Sequence, residues 1–437
     1  MKKITILGSG MAGFGAANLL KKEGVDSIIY DKNQHYGGHT ASYKFNEGYV
    51  FDEGPHVSFT KNERVQKFLA DSINQEYETI NTVVNNYWKG IWIKHPVQCN
   101  LHDLPKELIV DCIKDFVHAM HHEYGEINNY ADWLRASFGN TIAENFPMEY
   151  GLRYHTTTAD NMSTDWLGPR LYRPKLEEVI YGAISPTTPD VHYISHFRYP
   201  TNNGFVNYLN PLPDLTEIVL NHKVTKIDPV SKTIYFDNGK EVGYDGLVSS
   251  IPLPDLLPMI TNAPADVVEA SQQLACTKCV VVSVGIKRDD VTPAHWSYFY
   301  DRDISFTRLS FPHNLSPRTV PEGHSSIQAE VYFSDKYKPM TGTPDDWIEP
   351  VIKDLIRCGL LREDDDIDFK HAMYIPYANV IFDLDRKANL EKVHGFLDDV
   401  EIRYAGRYGE WGYMWTDESF LSGERAAQKI LNKVTSD

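Results

Sequence analysis

The chain opens with a short apolar run, a glycine-rich turn and a second apolar run, and this pattern constrains the fold more than any other feature of its 437 residues. Residues 3–7 (KITIL) predict a buried strand, and residues 8–24 (GSGMAGFGAANLLKKEG) predict a turn followed by a helix. Residues 26–32 (DSIIYDK) predict the next strand. The spacing therefore predicts a βαβ unit at the start of the chain.

The turn of this unit carries a GxGxxG motif. Gly8, Gly10 and Gly13 form the motif, and Asp31 closes the second strand. The first glycine permits a tight turn, the second lets backbone amides approach a pyrophosphate, and the third lets the helix pack on the strand. The positive end of the helix then faces the phosphates, and Asp31 suits a ribose hydroxyl. An adenine dinucleotide is the predicted ligand.

A second glycine pair distinguishes between two dinucleotides. Gly37 and Gly38 follow directly after the second strand, where NAD dehydrogenases usually begin another helix. In flavoproteins of the glutathione-reductase-like fold, such a pair lets the backbone pass close to the cofactor diphosphate. FAD is therefore favoured over NAD, and an ordinary surface turn is the alternative interpretation of the pair.

Charge and hydropathy exclude several classes of partner. Acidic residues outnumber basic residues by 60 to 43, and the formal charge is −17. Such a chain repels nucleic acid and anionic membranes unless positive charge is locally concentrated. No apolar stretch reaches the roughly 20 residues that a membrane helix needs. We expect neither nucleic-acid binding nor membrane insertion.

The cysteines and histidines give no pattern of metal ligands. The five cysteines are odd in number and mostly lie in apolar runs, which favours reduced thiols and a cytoplasmic location. Cys276 and Cys279 form a CxxC pair that lacks a second pair to complete a zinc site. The histidines near residue 120 lie on a predicted amphipathic helix without ligands at metal spacing. No metal is predicted, and the CxxC pair is interpreted as structural, with a redox role left open.

The rest of the chain divides into regions with different predicted secondary structure. Helical periodicity dominates the middle of the chain, turns such as DNGK mark a β-meander after it, and mixed strands follow. The predicted class is α/β: a Rossmann-like FAD-binding domain with an inserted helical lobe and a mixed-sheet substrate domain. The predicted ranges are 1–60 for the FAD-binding part, 61–200 for the helical and substrate-side insertion, 201–275 for the return to the FAD domain, 276–400 for the mixed sheet and 401–437 for a C-terminal FAD-binding strand and helix.

Several segments, in order along nearly the whole chain, resemble one flavoprotein superfamily. The N-terminal fingerprint, the glycine pair and residues 406–427 (GRYGEWGYMWTDESFLSGERAA) resemble the amine-oxidase and protoporphyrinogen-oxidase-like FAD proteins. Residues 51–59 (FDEGPHVSF), 165–170 (DWLGPR) and 296–317 (WSYFYDRDISFTRLSFPHNLSP) narrow the resemblance to the UDP-galactopyranose mutases.

The resemblance implies roles for particular residues. Arg170 and Arg308 match the two arginines that grip the nucleotide-sugar diphosphate, for which guanidinium forks suit bidentate binding. Tyr413 matches a tyrosine that contacts the same diphosphate, and Tyr377 lies three residues from the position of another. His56 matches a histidine beside the flavin, near N5. The implied catalytic set is His56, Arg170 and Arg308, and Trp166 is expected to line the substrate cleft unless it belongs to the core.

The resemblance also implies a cofactor-binding set. A helix that starts near Asp417 would aim its N-terminus at the flavin pyrimidine and stabilise negative charge on the reduced ring. The residues expected to hold FAD are Gly8, Gly10, Met11, Ala12, Gly13, Asp31, Lys32, Gly37, Gly38, His39, His56, Val224, Gly406, Arg407, Asp417 and Ser419.

Three functions are compatible with these patterns. The resemblance implies a mutase that interconverts the pyranose and furanose forms of a nucleotide sugar, with N5 of reduced FAD as the nucleophile, in the biosynthesis of cell-surface polysaccharide. Its partners would be the nucleotide sugar and an electron donor such as NAD(P)H. The alternatives are an FAD-dependent oxidoreductase acting on an amine, porphyrinogen or polyene, and a flavoprotein that binds without catalysis. The sugar and the oligomeric state stay open.

Overall fold

The computed structural model describes residues 3–168, 171–191 and 194–434. Within these ranges the α-helices are α1 (Met11–Lys22), α2 (Glu63–Ser72), α3 (Lys106–His121), α4 (Tyr130–Asn145), α5 (Pro147–His155), α6 (Leu176–Ile184), α7 (Leu212–Leu215), α8 (Leu253–Leu256), α9 (Ala265–Gln272), α10 (Ile348–Arg357), α11 (Arg386–Asp399), α12 (Gly406–Gly409) and α13 (Thr416–Val434).

The β-strands of the same ranges form two large sheets and three small ones. They are β1 (Ile4–Leu7), β2 (Ser27–Tyr30), β3 (Ser42–Lys44), β4 (Val50–Asp52), β5 (Tyr77–Asn81), β6 (Val84–Trp88), β7 (Ile91–Lys94), β8 (His196–Pro200), β9 (Glu217–Val219), β10 (Val224–Asp228), β11 (Thr233–Phe236), β12 (Glu241–Gly243), β13 (Gly246–Ser249), β14 (Cys276–Ile286), β15 (Trp296–Phe299), β16 (Arg308–Ser310), β17 (Ser325–Phe333), β18 (Ile367–Val380) and β19 (Ile402–Tyr404).

The first large sheet contains the predicted βαβ unit. Its five parallel strands run in the order β19-β13-β1-β2-β9, so the two ends of the chain meet in one sheet. Every residue of β1 and β13 is buried, as expected for a parallel sheet that is covered on both faces. The antiparallel meander β10-β11-β12 lies between β9 and β13 along the chain. The predicted α/β class and the Rossmann-like unit are confirmed.

Helices α1 and α13 pack closely because glycines line their contact. A Cβ atom on Gly15 would lie 1.9 Å from the carbonyl oxygen of Phe420, and one on Gly423 would lie 1.8 Å from that of Ala12. Real Cβ atoms do not come this close to backbone, so only glycine permits the approach. The first turns of both helices, at Met11 and at Thr416, line one large cavity.

The second large sheet provides the opposite wall of that cavity. Its seven strands run in the order β18-β14-β17-β16-β15-β6-β7. Side chains alternate between its faces. On one face, residues such as Val282, Leu309 and Ala329 pack into an apolar core with Val351 and Leu355 of α10. The other face carries polar and aromatic side chains and looks onto the cavity.

The middle of the chain is less helical than predicted. Helices α3 to α6 form the expected lobe, packed around Phe116, Leu134 and Phe138. However, β6 and β7 also lie in the range 61–200, and β6 pairs in parallel with β15 of the substrate sheet. The hairpin turn at Lys89 and Gly90 has positive φ at both positions, 48° and 86°, as a tight hairpin requires. Lysine is unusual at such a position, so this turn carries no recognisable hairpin signal in the sequence.

Candidate active site

A cavity of about 1190 Å³ runs from the carboxyl ends of β1 and β2 to the polar face of the seven-stranded sheet. Ligands of open α/β sheets bind at the carboxyl ends of the strands. Among the helices of the described ranges, none combines the length and apolar character that a membrane span needs. The same ranges contain no cluster of side chains that could hold a metal ion.

The glycine-rich turn leaves room for a ligand rather than for side chains. Gly8 has a φ of 100°, and a Cβ atom there would lie 2.2 Å from Oγ of Ser250. The Gly37 amide donates to the Ser9 carbonyl at 3.0 Å, which brings the glycine pair against Gly10. A Cβ atom on Gly38 would lie 3.2 Å from Cα of Gly10. This bare backbone cradle at the start of α1 fits a diphosphate.

Asp31 stabilises the same turn. Its Oδ2 accepts hydrogen bonds from the Ser9 amide at 2.8 Å and from the Ser9 hydroxyl at 2.6 Å, and its Oδ1 accepts one from the Asn33 amide at 2.9 Å. The side chain also lines the cavity. Each carboxylate oxygen has two acceptor positions, so Oδ1 keeps one for a ribose hydroxyl.

Two acidic residues precede His56, and both are hydrogen-bonded. Asp52 is buried and accepts hydrogen bonds from Ser42, Tyr199 and the Phe205 amide, yet burial raises its pKa to about 6. Glu53 is also largely enclosed, which alone would raise its pKa. The hydrogen bond from Nδ1 of His39 is 2.6 Å long. This bond and the other nearby donors together outweigh burial and lower the pKa of Glu53.

His56 lines the cavity as a neutral ring. Its Nδ1 donates to the Gly54 carbonyl at 2.6 Å, so Nε2 is the acceptor nitrogen. Burial, together with the nearby Arg407 charge, lowers the pKa of His56 to about 4. The ring lies 5.5 Å from that of Phe205. The Gly54-Pro55 pair thus keeps the histidine in a turn where its own loop fixes the tautomer.

Arg308 lies on the polar face of the sheet, opposite Glu330 on the neighbouring strand. Its Nε and Nη2 donate to the two carboxylate oxygens of Glu330, the latter at 2.8 Å, and Tyr332 donates to Oε1 of the same carboxylate at 3.0 Å. The ring of Tyr154 lies 5.8 Å from the guanidinium. Burial alone would lower the pKa of Arg308, but the Glu330 charge outweighs it and raises this pKa.

Arg407 is a second cation in the cavity wall. Its guanidinium donates to the carbonyls of Met414 and Ala378 and to the side chain of Asn379. No carboxylate among the described residues pairs with it within 4 Å. Tyr413 lies beneath it, with the ring centre 5.6 Å away. Arg407 therefore brings a positive charge to a chain that is acidic overall.

Comparisons with known proteins agree with this geometry. The family model described as "NAD(P)-binding Rossmann-like domain" matches residues 6–72. A crystal structure of reduced UDP-galactopyranose mutase superposes with a TM-score of 0.92 at 27% identity, over 99% of this chain and 96% of that one. In fold, the chain therefore resembles UDP-galactopyranose mutase. A protoporphyrinogen oxidase-like protein from Exiguobacterium sp. 255-15 shares the fold, with a TM-score of 0.75 and 15% identity over 99% of each chain.

Curated relatives match this chain by sequence over short stretches. A 1-hydroxycarotenoid 3,4-desaturase from Flavobacterium sp. (strain P99-3) is 37% identical over 20% of this chain and 19% of its own length. A 4,4'-diaponeurosporene oxygenase from Staphylococcus haemolyticus (strain JCSC1435) is 45% identical over 13% of this chain and 11% of its own. The matches thus span at most about a fifth of these relatives. Together with the glycine cradle, the comparisons identify the cofactor as FAD.

Most of the predicted cofactor residues line the cavity. They are Gly8, Gly10, Met11, Ala12, Asp31, Lys32, Gly37, Gly38, His39, His56, Val224, Gly406, Arg407 and Ser419. Gly13 instead lies where α1 meets β1, since a Cβ atom there would be 2.1 Å from the Gly8 carbonyl oxygen. Asp417 lies in the first turn of α13 but not in the cavity wall. Their contacts with FAD stay predictions.

Only some of the predicted substrate residues lie together in the cavity wall. Arg308, Tyr377 and Tyr413 line the cavity, and the Tyr377 hydroxyl donates to Asp255 at 2.7 Å. Trp166 is 9% exposed and lies behind Tyr413, with the ring centres 5.8 Å apart. It therefore supports the wall rather than forming it. Arg170 lies outside the described residues, and its role stays a prediction.

Sequence analysis missed the partners of Arg308. Glu330, Tyr332, Tyr154 and Tyr298 all line the cavity. A signal was present in the segment SSIQAEVYF, where polar residues recur at every second position of an otherwise apolar strand.

The CxxC pair consists of a half-buried thiol, Cys276, and a buried one, Cys279. Cys276 and Cys279 are both free, and burial raises the pKa of the Cys276 thiol to about 12 and that of Cys279 above its ordinary value. Reactive cysteines have lowered pKa values instead. These shifts favour the structural interpretation of the pair.

Proposed function

We propose that this protein is a flavin-dependent mutase that interconverts the pyranose and furanose forms of a nucleotide sugar. The observation that carries the proposal is the composition of the cavity wall: two arginines, of which Arg407 is also in the predicted cofactor set, and several tyrosines from different elements converge there. The likeness to reduced UDP-galactopyranose mutase over 99% of the chain supports the same proposal. An electron donor such as NAD(P)H and a role in cell-surface polysaccharide biosynthesis belong to it as well.

The wall suits an anionic, hydroxylated substrate. Arg407 has no carboxylate partner among the described residues, so an anion in the cavity, whether the cofactor diphosphate or the substrate, would stabilise its buried charge. The hydroxyls of Tyr298, Tyr332 and Tyr413 add donors and acceptors nearby. An apolar polyene would offer no counter-charge to the buried arginines and no further hydrogen bond to these hydroxyls. A nucleotide diphosphate is therefore the substrate class that the wall favours.

The chain's own residues would bind and orient the substrate. When bound in its reduced form, FAD supplies the nucleophile that displaces the nucleotide diphosphate from the anomeric carbon. Arg308 and Tyr413 would hold the departing diphosphate close to the sugar, so that it can return after the ring recloses. His56 would accept a hydrogen bond at Nε2 and carries no charge near neutral pH. No side chain needs to gain or lose a proton permanently, since the reaction is an isomerisation.

An anaerobic assay tests the proposal. The holoprotein, oxidised in one sample and reduced with dithionite in the other, is incubated with UDP-galactopyranose and related nucleotide sugars, and the products are separated by chromatography. We expect an isomer only with the reduced protein. The proposal fails if no sugar isomerises while an amine, porphyrinogen or polyene bleaches the oxidised flavin, which would establish the oxidoreductase alternative that the curated relatives suggest.

A variant of Arg308 tests the diphosphate contact. Arg308→Lys keeps a positive charge opposite Glu330 but loses the guanidinium fork, and we expect isomerisation to fall about 100-fold or more. Arg302 is the matched control, because it forms the same kind of fork with Glu149 but is 67% exposed. Arg302→Lys should change the rate by less than about twofold. Equal losses in both variants would contradict a specific role for Arg308.

A further inference from the structure

The carboxylate of Glu330 needs an explanation, because it lies in the wall of a cavity proposed to bind an anion. We propose that Glu330 is a positioning residue that fixes the Arg308 guanidinium in the orientation that binds the substrate diphosphate. This inference rests on the proposed function and adds to it a residue that neither the resemblance nor the sequence pattern assigned.

The register of the sheet places the two residues together. Arg308 on β16 is the direct partner of Glu330 on β17, and Leu309 pairs with Ala329. Residues directly opposite on antiparallel strands point to the same face. Arg308 and Glu330 therefore share the cavity face, while Leu309 and Ala329 pack in the core behind it. Backbone pairing alone brings the guanidinium and the carboxylate into contact.

The hydrogen bonds use one edge of the guanidinium and leave another available. Glu330 binds the edge formed by Nε and Nη2. No described residue accepts a hydrogen bond from Nη1 of Arg308. The remaining edge, formed by Nη1 and the second hydrogen of Nη2, has the fork geometry that two phosphate oxygens require. Glu330 therefore orients the arginine by binding the edge that the substrate does not use.

Glu330 is itself held in place. It is 4% exposed, and Tyr332, which is 1% exposed, donates to its Oε1 at 3.0 Å. Oε1 thus accepts from both Tyr332 and Arg308, which fills its two acceptor positions. A long arginine side chain otherwise loses conformational freedom when a ligand immobilises it. The buried contacts remove this cost before the substrate arrives.

Simple electrostatics predicts the opposite effect of Glu330. The carboxylate repels a diphosphate, so removing its charge would tighten binding if Arg308 kept its orientation without it. The two explanations therefore differ in the sign of the change. This difference makes the role of Glu330 testable by affinity alone.

Glu330→Gln is the variant that separates them. It keeps the side-chain shape, removes the charge and leaves only one acceptor oxygen for Arg308 and Tyr332. UDP is titrated into the oxidised holoprotein, and binding is followed by the change in flavin absorbance and by calorimetry. We expect the Kd for UDP to rise about tenfold or more while FAD content stays unchanged, since one well-oriented charged hydrogen bond is lost. An unchanged or lower Kd would overturn the proposal.

A double-variant cycle shows whether Glu330 acts through Arg308. In the Arg308→Lys background the fork is already absent, so adding Glu330→Gln should change the Kd by less than about twofold. A full further loss in that background would mean that Glu330 acts on its own, against the proposal. If Glu330→Gln does not fold, Tyr332→Phe replaces it and should weaken UDP binding in the wild-type background only.

Glu149→Gln is the matched structural control. Glu149 accepts from Nε and Nη2 of Arg302 in the same way, at 2.6 and 2.7 Å, but outside the cavity wall. Its change should leave the Kd for UDP within about twofold of wild type.

The role of Glu330 and the mutase activity can fail separately. Wild-type protein that binds UDP but isomerises no sugar refutes only the mutase activity. Wild-type protein that does not bind UDP refutes the role of Glu330.

Discussion

At the scale of single residues, Asp31 holds the cofactor turn together before any ligand is considered. Its two oxygens accept three hydrogen bonds from Ser9 and Asn33, and the bonds to Ser9 tie the end of β2 to the glycine turn. The carboxylate therefore serves both the fold of the turn and the predicted contact with ribose.

Asp31→Asn should weaken FAD binding about ten- to a hundredfold, because an amide offers one acceptor oxygen in place of two and loses charge-assisted hydrogen bonds worth about 1.5–3 kcal/mol. The measurement is the Kd of FAD for the apoprotein, from the quenching of flavin fluorescence. Asp245→Asn is the control, since Asp245 accepts from the exposed Lys3 amide on the far side of the sheet. Equal FAD affinity in wild type and Asp31→Asn would contradict this role.

Some residues of the site were predictable and others were not, for a physical reason. Gly8, Gly10 and Asp31 act through the local backbone, so their spacing along the chain carries the signal. Glu330 acts through a partner 22 positions away, and only the register of β16 with β17 brings the two together. Spacing in sequence does not encode such pairs unless the strand pairing is already known.

At the scale of elements, the contact between α1 and α13 joins the first and last segments of the FAD-binding domain. The two glycines at this contact, Gly15 and Gly423, lie on helices separated by most of the chain. Glycine inside a helix is unfavourable by roughly 1 kcal/mol relative to alanine, so its presence needs a reason. The close approach of the two backbones provides it.

Gly423→Ala should destabilise the protein and reduce FAD retention, because the new methyl group would lie 1.8 Å from the Ala12 carbonyl oxygen, in the first turns of the cofactor helix. Overpacking of this kind typically costs about 1–3 kcal/mol. The free energy of unfolding in urea measures it. In Gly395→Ala on α11, an added Cβ atom has no neighbour within 4 Å, and this control should be neutral or stabilised by up to about 1 kcal/mol.

The element order was predictable at the two ends of the chain and less so between them. The βαβ start, the meander and the final strand and helix have strong local patterns. The hairpin of β6 and β7 carries mixed residues, NNYW and IWIK, and belongs to a sheet whose other strands begin nearly 200 residues later. Its place in the fold is set by tertiary contact, which a local pattern does not contain.

At the scale of the whole molecule, burial of histidines in neutral form links stability to pH. Burial lowers the pKa of His155 to about 3 and those of His56 and His313 to about 4. In the unfolded chain each titrates near 6.5. Between these values the unfolded chain binds protons that the folded chain does not, so stability is full above about pH 6.5 and is lost as pH falls towards 4. Asp52 acts in the opposite direction over part of this window, because its raised pKa of about 6 favours the protonated folded state.

His155 is the buried histidine best suited to test this loss of stability on acidification. It is 3% exposed, it lies among the rings of Tyr154 and Trp166, and none of the described residues forms a hydrogen bond with its Nδ1. His155→Leu removes the titrating ring and keeps an apolar side chain of similar size. We expect the slope of unfolding free energy against pH between about 6 and 4 to become shallower by about 1.36 kcal/mol per pH unit, the contribution of one proton. Urea unfolding of the holoprotein at several pH values measures this slope. An unchanged slope would mean that His155 takes up its proton in the folded protein, for which its surroundings would have to open at mildly acidic pH.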